Sequence, residues 1–568
     1  VAVRINASGV SIRGTTPANG ITISRWTTAR CDGHTMRRMA RGQLLSIDIE
    51  RFKSYRDASR VDVAPLTVLV GRNNAGKSTP IQALLLLQQT LELSRSDVPL
   101  RLDGTVHATR LRDLIWRRDE STMPTIGLEL FSSVNVRRAI ESHHITEKTE
   151  LVKHLGFDFD RTAEELRVVL DVRFVFGEAD GQTELEGVSI LASLSESAGT
   201  FAFFIFRQQR EWALEVSHWN EASSLRDRRT VHLAVEFDHF IPYVGPRRGD
   251  TSIPGRSWER AAYAAWGLLC AQPLEDLREI LQRFTYLSST RSAAQLLHQP
   301  QSVIPDRVGV SGEAAAELLH RRKSDQVHYP VFDDADTLTT FPRVAQSSLE
   351  GGVNTVLEQL GVRGRFETQD VGGIAFQVLF GGAPLPHVGR GLSYLLPIVV
   401  SGLLSDPLRF SENGGAMSRD EYLARLPRFT HGAYEEPEAH VHPRVQARLA
   451  RWFVGLAMTG RRLIVETHSD HLVRHLRKLV ATAPKGGEIE RWLLDNVAVL
   501  HVTQDEDGAS KIQRSKLTQQ GSFDKWPADF MDAAVDDELA ITDAEFEKRP
   551  RPPRTAREVP DEPPKATK

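Results

Sequence analysis

Cysteine is nearly absent from this 568-residue chain, with Cys31 and Cys270 the only two. That is too few for a disulfide framework or a cysteine-based zinc site, and it fits a reducing cytosol. Missing as well is any excess of charge of one sign: 71 Lys and Arg against 74 Asp and Glu leave a formal net charge of -3. No global basic field therefore points to nucleic acid or to a membrane surface. Short basic stretches at 226–229 and 246–248 leave local contact with DNA or RNA open, although such runs are more often solvated surface. No apolar run approaches the roughly 18 residues needed to cross a bilayer, and nothing resembles a signal peptide. A sustained a/d heptad is also lacking, which argues against a long coiled-coil arm between distant parts of the chain and for a globular insertion. The remainder is length enough for about two to four structural units in a soluble, cytoplasmic protein.

What is present centres on residues 66–87. The apolar, β-branched run LTVLV reads as a buried strand and passes directly into Gly71, Arg72, Asn73, Asn74, Ala75, Gly76, Lys77 and Ser78, a complete G-x-x-x-x-G-K-S. Each residue type answers a need. Glycines let the backbone curl with its N–H groups inward, the lysine reaches the outer phosphates, and the serine hydroxyl coordinates magnesium. The helix opening at Thr79 adds its positive end to the anion site, so ATP and Mg2+ are the expected ligands. Pro80 falls in the first turn of that helix, where a missing N–H costs little.

Around this stretch the chain divides as follows. Residues 1–42 are rich in Ser, Thr, Arg and Gly and are expected to be a disordered or non-native leader, with Met39 the alternative start. Residues 43–99 form an N-terminal lobe in which QLLSIDIERFKSY and 61–63 read as strands. A strand-rich insertion with helices occupies 100–380, with strands at 125–131, 166–176, 188–194, 201–206 and 212–216 and helical patterns at 258–283 and 312–322. Residues 370–380, turning at Gly372-Gly373, read as a return hairpin into the nucleotide domain. A C-terminal lobe spans 381–490, and 491–547 reads as a hairpin and helical domain whose strands 496–503 and 511–517 flank the turn Asp505-Glu506-Asp507-Gly508. The Pro-, Lys- and Arg-rich 548–568 looks like a disordered tail.

A P-loop protein needs a second strand ending in a carboxylate for magnesium, and a neighbouring carboxylate can orient the attacking water. Glu435 and Glu436, followed by Pro437, supply such a pair. Residues 463–465 form a further buried strand that places His468 at its carboxyl end, where ligands bind in parallel α/β sheets. His440 with His442, and His471 with His475, could instead make a metal site, or brace the nucleotide pocket. The turn acids Asp505, Glu506 and Asp507 allow a nuclease reading, disfavoured by the short length of chain beyond His468.

Taken together, GRNNAGKST, EEPEAHVHP, ETHSDH and the opening QLLSIDIERFKSYRD resemble the prokaryotic AAA-family ATPases with ABC-type heads, related to the RecF, SMC and OLD-like ATPases. The likeness spans about residues 43–535 and takes in Val308-Gly309, Gly312-Glu313 and a tail at 521–530 similar to a C-terminal domain of unknown function. It implies an α/β P-loop NTPase of the ABC-ATPase head type with a large β-rich insertion and no fused nuclease domain. By position it implies Lys77 and Ser78 for phosphate and magnesium, Glu435 as the magnesium-side carboxylate, Glu436 as catalytic base and His468 as the γ-phosphate switch. It further implies a signature segment at 388–397, with Gly391 and Ser393 facing a partner's γ-phosphate, and hence a homodimer. Two features depart from the relatives: Arg390 and Tyr394 stand where an aromatic residue and a glutamine are usual, and Thr430-His431-Gly432-Ala433 is not an apolar tetrad. The expectation is therefore a poor strand before Glu435 and slow hydrolysis. Two functions stay open: a dimerising ATPase acting as sensor or gate, in phage defence or DNA repair by family likeness, and an ATP-gated scaffold for an effector protein with negligible hydrolysis.

Overall fold

In the computed structural model, residues 2–6, 9–13, 42–143, 145, 163–194, 200–208, 211–219, 226–231, 233–245, 257–334, 336–409 and 415–525 are described. The expectations for Met39, for the basic stretch 246–248 and for the tail from Trp526 onward lie outside these residues.

A hairpin of Ala2–Asn6 with Gly9–Arg13 stands inside the stretch expected to be disordered. After it come antiparallel strands β1 (Gln43–Glu50) and β2 (Ser59–Asp62), and the chain then crosses to a different sheet for β3 (Leu66–Val70), which feeds the P-loop and helix α1 (Thr79–Leu91). Strands β4 (Thr125–Asn135), β5 (Glu165–Ala179), β6 (Gln182–Leu194), β7 (Thr200–Gln208), β8 (Glu211–Trp219) and β9 (Arg226–Val231) follow as a meander. These join β1 and β2 in one eight-stranded antiparallel sheet, order β9-β8-β7-β6-β5-β4-β1-β2. The strand-rich region therefore continues the sheet of β1 and β2, and no structural break falls at 99/100. The reason is edge chemistry: β1 pairs β2 on one side, and β4 satisfies the hydrogen-bonding groups on the other, Ile47 facing Leu128 and Ile49 facing Ile126.

Helices α2 (Ser257–Trp266) and α3 (Gln272–Arg283), joined by a π-turn, pack on this sheet, with Trp266 edge-on to Phe203 at 5.5 Å. Strand β10 (Thr285–Leu287) then joins β3 in the second sheet, whose remaining members come after helix α4 (Arg390–Leu404). They are β11 (Thr430–Glu435), followed by α5 (Pro443–Met458); β12 (Arg461–Glu466), followed by α6 (Asp470–Thr482); and the hairpin β13 (Val497–Gln504) with β14 (Ser510–Ser515). The order is β10-β11-β12-β3-β13-β14, parallel except for the last pair. Helix α1 is buried at every position but Gln82, and one continuous core joins residues of both sheets, among them Ile47, Leu128, Ile464 and Leu500, with Leu277 of α3.

Three expectations change here. Hairpin 366–380 does turn at Gly372-Gly373, both with positive φ, in a three-residue loop closed by the Val371–Ala375 pair, but it pairs with Ala383–Pro384 in a small sheet of its own and does not enter the nucleotide sheet. The hairpin β13–β14 is no separate domain: β13 lies directly against the P-loop strand, buried from Val497 to Val502, because β3 has two edges to satisfy and β12 covers only one. And the strand before Glu435 is not poor. From His431 to Glu435 every residue of β11 is buried. Gly432 admits β10 at a distance no side chain permits, since a Cβ there would lie 2.4 Å from Thr285 Oγ1. The His431 ring accepts a hydrogen bond from the Leu44 N–H at 3.1 Å, so one polar residue ties the two sheets together.

That histidine has a measurable consequence. Burial, helped by the charge of Arg462, lowers its pKa from 6.5 to about 3. Because the folded pKa lies below the unfolded one, the contribution to stability is complete above about pH 6.5 and is lost as pH falls toward 3. Between pH 7 and pH 5 the loss amounts to about 2 kcal/mol. His431→Gln keeps an acceptor and removes the titration, so the gap in melting temperature between parent and variant should narrow on acidification; a gap independent of pH would exclude the effect.

Candidate nucleotide site

The P-loop hangs from the carboxyl end of β3 and its shape follows from who claims its carbonyl oxygens. Lys77 Nζ donates to Arg72 O at 2.8 Å, Gln504 Nε2 to Asn74 O at 3.0 Å, Ser510 Oγ to Ala75 O at 2.6 Å and Tyr55 Oη to Gly76 O at 3.2 Å. In a planar trans peptide the C=O and the following N–H point apart, so anchoring the Ala75 and Gly76 carbonyls on Ser510 and Tyr55 turns the Gly76 and Lys77 N–H groups to the other side. Asn74 and Gly76 have φ of 62° and 97°, the left-handed turns such a cradle needs. Gly76 has no room for a side chain: a Cβ would stand 2.3 Å from Ser510 Oγ and 2.5 Å from Ser54 Oγ. At Gly71 it would meet Val502 O at 2.2 Å. Ser78 immediately precedes α1 without a side-chain capping bond, Thr79 N donates to Gly76 O, and Pro80 sits in the first turn without disturbing the helix. Arg72, Asn73 and Asn74 are exposed at the rim, whereas Lys77 is buried.

The carboxylates arrive from β11 and β12. Parallel register sets Glu435 beside Glu466, and Glu466 beside Leu69 of the P-loop strand, so all three strand ends open on one crevice. Glu435 is buried, with the Tyr286 hydroxyl and the Ser289 N–H favouring its charged form, while the buried Arg291 guanidinium donates to its backbone carbonyl at 3.0 Å. Glu435 Oε1 has no hydrogen-bond partner among the described residues. Burial is the main cause raising its pKa, with the charge of Glu436 adding to it. Glu436 adopts a φ of 43°, outside the usual range for a residue with a side chain, and donates its N–H to Glu466 O. Glu438 braces the neighbouring turn. Its Oε1 accepts from Thr467 Oγ1, His468 N and Ser469 N at 2.7 to 3.0 Å and so fixes the segment that carries His468. The pKa of His468 is lowered by burial and by the positive charge of Lys77, which favours neutral imidazole.

Glu466, which carried no expected role in the sequence, lies nearer the P-loop than either expected glutamate. It is buried, its Oε1 is 3.9 Å from Lys77 Nζ, the Ser78 hydroxyl favours its charged form, and its Oε2 has no hydrogen-bond partner among the described residues. Burial first, then the negative charges of Glu435 and Glu436, push its pKa up to about 7. Burial lowers the pKa of Lys77, opposed by the charges of Glu466, Glu436, Glu435 and Glu438 in that order. A site with this much negative oxygen, two unpartnered carboxylate atoms and one serine hydroxyl fits a hard divalent cation, and Mg2+ takes few protein ligands because nucleotide oxygens and waters fill the rest.

The remaining candidates separate. Among the described residues no group of three or more His, Cys, Asp and Glu side chains is placed to hold a metal unaided. His442 caps α5, accepting from Arg444 N, His440 packs its ring on Tyr394 at 4.8 Å, and His475 is buried with its pKa lowered to about 4, chiefly by that burial. Of the turn acids of β13–β14, Asp505 is engaged by Arg56 and Lys511 and Asp507 by Arg56 and Arg117. Gly391 and Ser393 lie in the first turn of α4, where a Cβ on Gly391 would stand 2.6 Å from His440 O, so this turn abuts the loop that follows Glu436. No helix among the described residues is long and apolar enough to cross a membrane, and the longest, α5, has 16 residues.

Of the contributing residues, Glu466 was within reach of the rule that found Glu435, since it too ends a buried apolar strand. Tyr286, Ser289 and Arg291 carried no such signal, lying some 145 residues before the glutamate they act on.

Comparison with known proteins agrees with this geometry. Residues 43–229 match a family model described as "AAA ATPase domain", and residues 434–474 match one described as "AAA domain, putative AbiEii toxin, Type IV TA system". No curated protein matches the chain. Similar solved structures include an SMC head bound to the C-winged helix domain of ScpA (12% identity, 84% of this chain and 98% of that one, TM-score 0.36). Others are the SMC head domain from Thermotoga maritima (9%, 84% and 99%, 0.28) and the Smc head with an extended coiled coil bound to the C-terminal domain of ScpA from Pyrococcus furiosus (11%, 89% and 99%, 0.34). With a P-loop strand and two carboxylate-ended parallel strands in one sheet, the chain is an α/β protein whose two motif-bearing segments match AAA-type ATPase domains.

Proposed function

We propose that the chain binds ATP with magnesium at the P-loop and hydrolyses it, that two heads close face to face around two nucleotides, and that this cycle works as a sensor or gate. The observation that carries the reading is the convergence of Lys77, Ser78, Glu435, Glu466 and the neighbouring Glu436 and His468 at the carboxyl ends of three adjacent parallel strands. Lys77 and the Gly76 and Lys77 N–H groups hold the phosphates, with Ser78 and Glu435 holding magnesium. Bound magnesium supplies charge neutralisation across the β- and γ-phosphates. Glu436 takes the proton of the attacking water. His468, fixed through its backbone on Glu438, meets the γ-phosphate as a neutral donor, and Gly391 and Ser393 are presented to the nucleotide of the partner head.

Phage defence and DNA repair are the settings this likeness favours, and the description of the second matched family, which names a toxin of a type IV system, leans toward defence. The scaffold reading loses one of its two supports, because the strand before Glu435 is well buried; the departures at Arg390 and Tyr394 remain. The deciding experiment is ATP turnover by the full chain with mass followed by light scattering in the same sample. Turnover that EDTA abolishes, with mass doubling when ATP is present, is expected. ATP binding and doubling without turnover would transfer the proposal to an ATP-gated scaffold, and no binding would end both.

A further inference from the structure

We infer that Glu466 is a second carboxylate of the divalent-cation site and the one carried on the strand adjacent to the P-loop strand. This rests on the nucleotide reading above and adds to it a ligand that neither the P-loop nor the Glu435-Glu436 pair accounts for.

The sheet order makes the case first. Strand β12 lies between β11 and the P-loop strand, so Glu466 is one strand spacing from β3 and Glu435 is two, about 5 Å against about 10 Å. The side chains follow the same order. Lys77 Nζ lies 3.9 Å from Glu466 Oε1 and the Ser78 hydroxyl favours the charged form of Glu466, while the groups that favour the charged form of Glu435 come from the β10 side, at Tyr286 and Ser289. Both glutamates are more than nine-tenths buried, and each keeps one carboxylate oxygen without a partner. Buried charged oxygens left unpaired are costly unless a cation answers them, and one lysine already shared with the Arg72 carbonyl does not answer four glutamates. Mg2+ sites built with phosphates commonly use one or two carboxylates, so a pair spanning adjacent strand ends is within the range the ion accepts. Glu438 is excluded from this role because its Oε1 is spent on three donors of the His468 turn.

The alternative is that Glu466 only neutralises Lys77. Mn2+ in place of Mg2+ separates the two, read by electron paramagnetic resonance of the free ion with the full chain and a non-hydrolysable ATP analogue. Glu466→Gln is expected to weaken Mn2+ binding by about tenfold or more. Its affinity for the analogue in EDTA should be unchanged or higher, since a negative charge beside the phosphates is gone. Mn2+ affinity within about twofold of the parent would overturn the inference and leave Glu466 as the counter-ion of Lys77. Should Glu466→Gln fail to fold, Glu466→Asp keeps the charge but withdraws it by one methylene, and an Mn2+ affinity unmoved by that change would equally overturn it. Failure of the underlying nucleotide reading looks different: the parent itself would bind neither the analogue nor Mn2+ with it.

Discussion

Glu436→Gln is expected to bind ATP within about threefold of the parent and to turn it over at least a hundredfold more slowly, the lower end of what a positioned general base contributes. The substitution is nearly isosteric, so the unusual backbone at φ 43° and the hydrogen bond from its N–H to Glu466 O persist and stability changes little. With hydrolysis blocked, the ATP-bound pair of heads should accumulate, and light scattering should report twice the monomer mass after ATP is added. The site holds three other glutamates, which makes the result informative either way. Turnover surviving Glu436→Gln would hand the proton to Glu466, the glutamate nearest the P-loop, and would remove Glu436 from the mechanism. Turnover lost together with nucleotide affinity would mean that Glu436 shapes the pocket and does no chemistry.

Lys77→Ala is expected to lower ATP affinity by about a hundredfold, close to 3 kcal/mol, and turnover with it. Lys77 is the buried cation facing the carboxylates, and its Nζ now sits on Arg72 O and beside Glu466. Nucleotide binding exchanges those partners for phosphate oxygens, and alanine has nothing to offer in the exchange. Isothermal titration with ATP in excess magnesium measures the loss. In the same variant Glu466 faces no positive charge, so its carboxyl should hold a proton to higher pH than in the parent. An affinity within fivefold of the parent would refute the P-loop assignment, and the proposed function with it.

Much of this molecule was legible in order and little of it in arrangement. Strands 125–131, 166–176, 188–194, 201–206 and 212–216 each fall inside observed strands because period-two alternation is a local property of residues facing one buried layer. The P-loop was legible for the same reason: its glycines, lysine and serine are contiguous, and each answers a need within a few residues. His431-Gly432 misled because strand quality was judged by apolarity alone. A histidine serving as acceptor to Leu44 N and a glycine admitting Thr285 are both correct for a buried strand once their neighbours, 387 and 147 positions away, are in place.

The sequence by itself determined the elements, the P-loop and the identity of two of the four glutamates that crowd the site. Tertiary structure decided that β12 lies between β3 and β11, and hence that Glu466 and not Glu435 stands on the strand beside the P-loop strand. It also decided that a hairpin from the far end of the described chain, through Gln504 and Ser510, pins the P-loop carbonyls, and that Tyr286, Ser289 and Arg291 act on Glu435. The physical reason is common to all of these. Each is a contact between residues more than a hundred positions apart, or a strand order, and neither has a local energetic signature; both are set only when the unpaired edges of β3 and β11 choose among the strands able to satisfy them.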